Sequence, residues 1–280
     1  MESDRTTDGQ EPKHQRRVRY KGTHPKNFQE KYKELQPERY ADDVAKIIQK
    51  GNTPAGMHIS ICVKEILDFL QIKPGQTGMD ATLGYGGHTL AMLKCLQSQG
   101  ALYATDVDPI ELPRTKERLA KLGYGEEILK IRQMNFSQIN QIVAEAGPLD
   151  FVLADLGVSS MQIDNPDRGF SFKTEGQLDL RLNPKKGVSA ADRLKELRQD
   201  ELQGMLVENA DEPYAKEIAR AIVTNLRKGM EITTTTQLRN VITEALKAIP
   251  HTSAEDIKKS CQRSCQALRI DVNSEFEVLE

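Results

Sequence analysis

The chain has 280 residues, of which 38% are hydrophobic and 29% are charged, enough for one large domain or a domain with a sizeable insert. Its 39 basic and 41 acidic residues nearly balance, which excludes a polybasic protein but allows a local basic patch. No run approaches the ~18 consecutive apolar residues of a transmembrane helix, and the polar N-terminus lacks the apolar stretch of a signal peptide. The four cysteines show neither a C-x-x-C pair nor zinc-ligand spacing. We expect no metal, no membrane partner and a reduced, cytoplasmic location.

Residues 1–52 are predicted to form a basic, partly disordered extension. Residues 13–33 carry eight basic residues against one acid, Glu30. Such a run is typical of a solvated tail, and an arm that gathers nucleic-acid phosphates is the alternative. One helix is predicted to follow, beginning at Pro37 and ending at Gly51.

Residues 53–185 are predicted to form an α/β domain, because strand-like runs alternate with helical segments. The four strand-like runs cover residues 77–84, 101–108, 128–136 and 149–157. Helical segments of crossover length lie between them, near residues 88–98, 109–122 and 137–146. This alternation is typical of βαβ units and predicts a parallel sheet.

From about residue 189 the alternation stops and only helices are predicted. They lie after Ser189, around Ile218, from Thr236 to Ala248 and from Ala254 to Glu280. Cys261 and Cys265 fall on one apolar stripe of the last helix, so we interpret both as core residues. We therefore predict a helical insert over residues 186–265 and, over residues 266–280, a helix that returns toward the α/β domain.

A glycine-rich stretch follows the first predicted strand and precedes a helix. It contains Gly84, Gly86 and Gly87 and ends at His88, a place where the backbone approaches a nucleotide-like ligand closely. The spacing is not the dinucleotide fingerprint, because the third glycine of that motif would fall at position 89, which is Thr. An ordinary tight turn is the alternative.

Two acidic residues end later strands. Asp106 ends the second predicted strand, where a carboxylate accepts hydrogen bonds from ribose hydroxyls. Together with the glycine-rich loop it suits an adenosine-containing cofactor, either a nicotinamide dinucleotide or S-adenosylmethionine. Asp155 ends the fourth predicted strand and is expected to face the crevice where open α/β sheets bind ligands. The alternative is that Asp155 only caps the following turn.

Aromatic and basic residues follow in a segment too rich in glycine to be helical. We predict that the segment is exposed and that four of its residues bind the substrate: Arg168, Phe170, Phe172 and Arg181. The two phenylalanines stand at alternate positions, which would let them stack on an unpaired base. An ordinary surface loop is the alternative.

Several motifs cover roughly residues 57–280 when taken together. They are DATLGYGGHT, the run ending in DVDP, NFS, DLGVSSMQID, RGFSF, LDLRL, ARAIV and QALRIDVNSE. This set resembles the bacterial-type 16S rRNA cytosine-N4 methyltransferases, the RsmH or MraW family. The resemblance implies a class I methyltransferase with a Rossmann-like parallel sheet and an inserted helical domain that helps to bind RNA. It also implies S-adenosylmethionine as the cofactor and a cytosine of small-subunit ribosomal RNA as the substrate.

The resemblance also implies roles for individual residues. The implied cofactor pocket consists of Gly86, Gly87, His88, Asp106, Phe136, Asp155 and Gln162. In this pocket Asp106 binds the ribose hydroxyls and Phe136 flanks the adenine. Asp155 is the candidate catalytic residue, as an acceptor for the cytosine amine, and a role in cofactor binding alone is left open.

The family pattern continues past the QALRIDVNSE motif through a further strand and a basic tail. We therefore expect this chain to lack the closing strands of the sheet, which leaves the activity of the 280-residue form open. A non-catalytic RNA-binding or ribosome-binding homologue and an NAD-dependent oxidoreductase are the alternative functions. The oligomeric state is also open, and a dimer formed through the open sheet edge is one option.

Overall fold

The computed structural model describes residues 60–279. The basic run 13–33 and the helix predicted after Pro37 lie outside the described residues. Within residues 60–279, no helix is both long and apolar enough to cross a membrane. The His, Cys, Asp and Glu side chains of the same residues form no group that could hold a metal ion.

Four strands form one parallel sheet. They are β1 (Thr77–Asp80), β2 (Ala101–Asp106), β3 (Leu129–Gln133) and β4 (Phe151–Leu153). Their order is β3-β2-β1-β4, and each neighbouring pair is parallel. The order reverses between β1 and β4, and open α/β sheets bind ligands beyond the carboxyl ends of their strands at such a switch point. The predicted α/β fold class is confirmed.

Helices cover both faces of this sheet. They are α1 (Val63–Leu70), α2 (Gly87–Leu96), α3 (Glu111–Lys121) and α4 (Ile139–Ala146). Successive residues of a strand point to opposite faces, so Leu102 of β2 packs with residues of α2 and α3. Its neighbour Tyr103 packs on the other face with Ile142 of α4.

The remaining helices follow the sheet in sequence. They are α5 (Ser160–Asp164), α6 (Ala190–Glu196), α7 (Gln199–Ala210), α8 (Ala215–Arg227), α9 (Thr235–Lys247) and α10 (Ala254–Asn273). Ser189, Thr234 and Ser253 cap α6, α9 and α10 by accepting a backbone N–H with their hydroxyls, as residues at the N-cap position do. Helices α6 to α10 bury a shared core of aliphatic side chains.

The sequence-based boundaries differ from the structure in this helical region. Helix α7 was not predicted from the sequence, because Gly204 interrupts its buried residues Leu202, Met205 and Leu206 and polar residues surround them. The last helix ends at Asn273 rather than Glu280, because Ser274 has a left-handed backbone with φ of 49°. The predicted boundary at residue 265 falls inside α10. The division into domains at residue 185 stays a prediction.

The interpretation of the two cysteines of α10 as core residues is confirmed. Cys261 and Cys265 are both buried. Burial raises the pKa of the Cys261 thiol to about 11 and that of the Cys265 thiol to about 12. Both thiols are therefore protonated near neutral pH and pack as small apolar groups.

A close contact between β1 and β4 generates a stability prediction. Gly78 of β1 pairs with Phe151 of β4, and a Cβ added at Gly78 would lie 2.1 Å from ring carbons of Phe151. We expect Gly78→Ala to lower the free energy of unfolding by ~1–3 kcal/mol, since overpacking forces a core to shift. Urea denaturation measures this change.

The same substitution at Gly204 is the matched control. Gly204 lies inside α7, and a Cβ added there would meet nothing within 4 Å. Gly204→Ala should therefore raise the free energy of unfolding by roughly 0.5–1 kcal/mol, because alanine is the better helix former. Equal stability of Gly78→Ala and the wild type would contradict the packing argument.

Candidate functional site

Glycine shapes the loop between β1 and α2. Gly84 and Gly86 have φ of 48° and 77°, a left-handed conformation that glycine adopts at little cost. A Cβ added at Gly86 would lie 3.0 Å from the Thr115 side chain, and one at Gly87 would lie 2.2 Å from the Ser60 hydroxyl oxygen. Gly86 is the N-cap of α2 and supplies no side-chain cap. The loop thus places the N-terminus of α2 close to the sheet. The backbone N–H groups of a helix N-terminus bind hydrogen-bond acceptors and anions.

A buried carboxylate holds this loop in place. The Asp80 side chain accepts a hydrogen bond from the Thr82 N–H at 3.0 Å and another from the Thr89 hydroxyl. Burial raises the pKa of Asp80, and both hydrogen bonds oppose that rise. Asp80 therefore ties the end of β1 to the first turn of α2. The sequence analysis assigned it no role.

Asp106 lies at the carboxyl end of β2. Its two carboxylate oxygens accept hydrogen bonds from the Gly84 N–H at 2.8 Å and the Asp108 N–H at 2.9 Å. Burial raises the pKa of Asp106, and these two hydrogen bonds oppose the rise. The side chain stays partly exposed, and each carboxylate oxygen can accept one more hydrogen bond. Asp106 can therefore bind a pair of hydroxyl groups.

Phe136 follows β3 and begins a 3-10 helix, Phe136–Gln138. The Asn135 side chain caps that helix by accepting a hydrogen bond from the Ser137 N–H at 3.0 Å. The half-buried ring of Phe136 faces the same space as Asp106. A flat apolar surface thus lies beside a carboxylate, an arrangement that suits a nucleoside.

His88 of α2 and Asp155 after β4 are close neighbours. Nδ1 of His88 is 3.7 Å from Oδ2 of Asp155, and Nε2 of His88 is 2.9 Å from the Ile61 carbonyl oxygen. The Asp155 N–H donates to the Thr82 hydroxyl at 2.7 Å, which fixes its backbone. The Asp155 side chain is 47% exposed, so an incoming polar group can reach it.

One cavity of about 1000 Å³ lies at the carboxyl ends of the strands, and the glycine loop, Asp106 and Asp155 contribute to its lining. All seven residues predicted for the cofactor pocket line it: Gly86, Gly87, His88, Asp106, Phe136, Asp155 and Gln162. Its volume is at the upper end of the ~300–1000 Å³ range of small-molecule sites. The cavity therefore has room for a cofactor and for part of a second ligand.

Gln162 braces a wall of this cavity. Its side-chain oxygen accepts a hydrogen bond from the Ser159 N–H at 2.8 Å, and the Ser159 hydroxyl accepts one from the Gln162 N–H at 3.2 Å. This reciprocal pair is a capping box that begins α5. The Gln162 amide nitrogen donates to the Asp108 carboxylate at 2.8 Å. Both ends of the side chain are therefore bound within the protein.

A buried ion pair joins the end of β2 to the segment that follows α5. Nη1 of Arg168 lies 2.8 Å from Oδ2 of Asp108, and the two side chains are 5% and 0% exposed. Nη2 of Arg168 also donates to the carbonyl oxygens of Arg181 and Leu182. The guanidinium therefore connects the end of β2 to the stretch of chain at Arg181 and Leu182.

The prediction that the segment around Arg168 is exposed is wrong for two of its residues. Arg168 is 5% exposed and Phe170 is 8% exposed, and Phe170 packs in the core of the helical region. Phe172 is half-buried against the same core, and Arg181 binds Asp179 through two of its nitrogens. Among the described residues that line the cavity, none of these four predicted substrate-binding residues occurs. Their role in substrate binding stays a prediction.

Another wall of the cavity was not predicted from the sequence. This wall contains Asn183 and Lys186 from a turn, and Arg269 and Asn273 from α10. The Leu182 N–H donates to the Asn273 side chain at 2.7 Å, which holds the turn against the helix. The Asn-Pro dipeptide at 183–184 is a turn signal, but it does not indicate which part of the molecule the turn faces.

The buried ion pair generates a second prediction. Arg168→Met should lower the free energy of unfolding by ~3–5 kcal/mol, because it leaves the Asp108 carboxylate buried without its partner. Asp108→Asn combined with Arg168→Met should recover part of that loss, since no unpaired charge remains. Urea denaturation of the three proteins measures both effects.

An exposed ion pair provides the control. Arg198 and Asp200 lie 3.2 Å apart with side chains 69% and 73% exposed. Arg198→Met should change the stability by at most about 1 kcal/mol. If Arg168→Met were no more destabilising than Arg198→Met, the expected contribution of the buried pair to the free energy of unfolding would be refuted.

The chain is similar to known proteins over most of its length. The model of the MraW methylase family matches residues 55–280. The chain is 72% identical over 273 residues to ribosomal RNA small subunit methyltransferase H 2 of Alkaliphilus metalliredigens, over 97% of this chain and 78% of that protein. It is 69% identical over 274 residues to ribosomal RNA small subunit methyltransferase H 1 of Lachnoclostridium phytofermentans, over 98% and 75% of the two chains. With the family model matching most of its length, the chain belongs to the MraW methylase family.

Proposed function

We propose that this protein is an S-adenosylmethionine-dependent methyltransferase that acts on the N4 amine of a cytosine in small-subunit ribosomal RNA. The observation that carries the proposal is the single cavity lined by all seven predicted pocket residues at the carboxyl ends of the strands. Membership of the MraW methylase family and the names of the relatives support the reaction and the type of RNA. The protein would meet this substrate in the cytoplasm.

The residues present fit the proposed cofactor. Gly86 and Gly87 leave no room for a Cβ beside Thr115 and Ser60, and they place the N-terminus of α2, which suits a carboxylate group, at the cavity. Asp106 binds the ribose hydroxyls with the acceptor capacity that its two backbone hydrogen bonds leave. Phe136 flanks the adenine. When bound, S-adenosylmethionine supplies a methyl group on a positively charged sulfur.

The remaining task of the protein is to position the base. The cytosine amine is conjugated with its ring and is a poor nucleophile, so an acceptor that holds one of its N–H groups helps to orient the nitrogen. Asp155 is placed for that role, because its exposed carboxylate lies at the cavity beside His88. Alignment of the reacting atoms contributes much of the rate in such a reaction, and the base must leave its stack to enter the cavity.

Asp106→Asn tests the cofactor site. The substitution keeps the size of the side chain and removes the charged acceptor, and charge-assisted hydrogen bonds contribute ~1.5–3 kcal/mol. We expect at least tenfold weaker binding of S-adenosylmethionine in calorimetry. The matched control is Asp68→Asn, an exposed position on α1 outside the cavity, which should bind as the wild type does. Unchanged affinity in Asp106→Asn, or binding of NAD instead, would overturn the assignment.

Asp155→Asn tests the substrate side. We expect kcat for methyl transfer to small-subunit ribosomal RNA to fall roughly a hundredfold, as for loss of a positioned proton acceptor, while the affinity for S-adenosylmethionine changes little. A loss confined to cofactor affinity would make Asp155 a cofactor-binding residue only. Mass spectrometry of the nucleosides identifies the product. Methylation at carbon 5 or on the ribose would contradict the proposed reaction.

A further inference from the structure

Two lysines lie on a turn that helps to line the same cavity as the proposed cofactor site. We call residues 183–187, with the sequence Asn-Pro-Lys-Lys-Gly, the lysine turn. The Asn183 side-chain oxygen accepts a hydrogen bond from the Lys185 N–H at 3.0 Å, and the Asn183 carbonyl oxygen accepts one from the Lys186 N–H at 3.1 Å. These two bonds close the turn.

The lysine turn is anchored on both sides. Before it, Leu182 donates its N–H to Asn273 of α10 at 2.7 Å and accepts a hydrogen bond from Arg168 at 2.8 Å. At its end, the Gly187 carbonyl oxygen accepts a hydrogen bond from Nη1 of Arg181 at 2.9 Å. The turn is therefore held in one conformation before a ligand arrives, which lowers the entropy lost on binding.

The ammonium groups of this turn face solvent. Lys185 and Lys186 are both exposed, and neither has a carboxylate within 4.0 Å among residues 60–279. By contrast, Lys116, Lys195 and Lys247 each lie 2.7–2.9 Å from a carboxylate oxygen. The turn thus presents two uncompensated positive charges, and Lys186 lines the cavity together with Asn183.

The position of the turn indicates what these charges bind. An RNA base that enters the cavity leaves its own sugar and phosphates outside it, and the turn has exposed residues at the cavity, Lys186 and Gly187, with the exposed Lys185 beside them. We propose that Lys185 and Lys186 bind the backbone phosphates next to the target nucleotide. This inference rests on the proposed function and adds the part of the protein that holds the RNA strand. Such contacts position the strand without reading its sequence.

The test compares two pairs of adjacent basic residues. Lys185→Gln/Lys186→Gln removes the charges of the turn, and Arg227→Gln/Lys228→Gln removes an exposed pair at the end of α8, outside the cavity. Filter binding of a small-subunit ribosomal RNA transcript between 50 and 200 mM KCl is measured for the full chain. The turn variant should bind ~5–10-fold more weakly, with the slope of log Kd against log salt reduced by roughly 1.5 for two lost phosphate contacts.

A charge-preserving variant separates a phosphate contact from damage to the fold. Lys185→Arg/Lys186→Arg should restore wild-type affinity, and calorimetry should give all variants the wild-type affinity for S-adenosylmethionine. Equal loss of RNA affinity in both glutamine variants, no loss in the turn variant, or no RNA binding by the wild type would overturn the inference. RNA binding that depends on the turn, without methyl transfer by the wild type, would instead overturn the proposed reaction and leave the inference standing.

Discussion

A charge buried away from water must find a partner, and in this protein the guanidinium of Arg168 finds it in Asp108. Asp108 follows β2 by two residues and donates its backbone N–H to Asp106, so the pair is connected to the proposed cofactor site through Asp106. The second terminal nitrogen of Arg168, Nη2, donates hydrogen bonds to the carbonyl oxygens of Arg181 and Leu182, which precede the lysine turn. One side chain thereby sets the distance between the two walls of the cavity.

The side-chain amide of Asn273, in α10, also binds this part of the chain. Its nitrogen donates to the Leu180 carbonyl oxygen and its oxygen accepts from the Leu182 N–H, at 2.8 and 2.7 Å. Leu180 has a left-handed backbone with φ of 63°, and the end of a helix thus satisfies the backbone groups of a stretch that belongs to no strand, as buried backbone groups require. Side chains, rather than a sheet, supply these hydrogen bonds of the cavity wall.

The sequence grouped seven residues that do line one cavity, but it did not predict the burial of Arg168 and Phe170, for a physical reason. Gly86 and Asp106 are tied to local features, a strand end and a helix start, that periodicity and glycine spacing reveal. The burial of Arg168 depends on Asp108, sixty positions away, and that of Phe170 depends on helices later in the chain. Helix α7 was not predicted because Gly204 and the polar residues around it weaken the apolar pattern of the helix.

The same long-range contacts affect the entropy cost of folding. Helix α8 packs on α7 and α9, its neighbours in the chain, whereas α7 also packs extensively on α10, and contacts between nearby segments close small loops at low entropic cost. The bonds from Arg168 to Asp108 and from Leu182 to Asn273 close loops of 60 and 91 positions, and longer loops cost more entropy to close. The cavity walls thus depend on contacts between segments that are distant in the chain, and a ligand bound there stabilises contacts that local chain preferences alone do not favour.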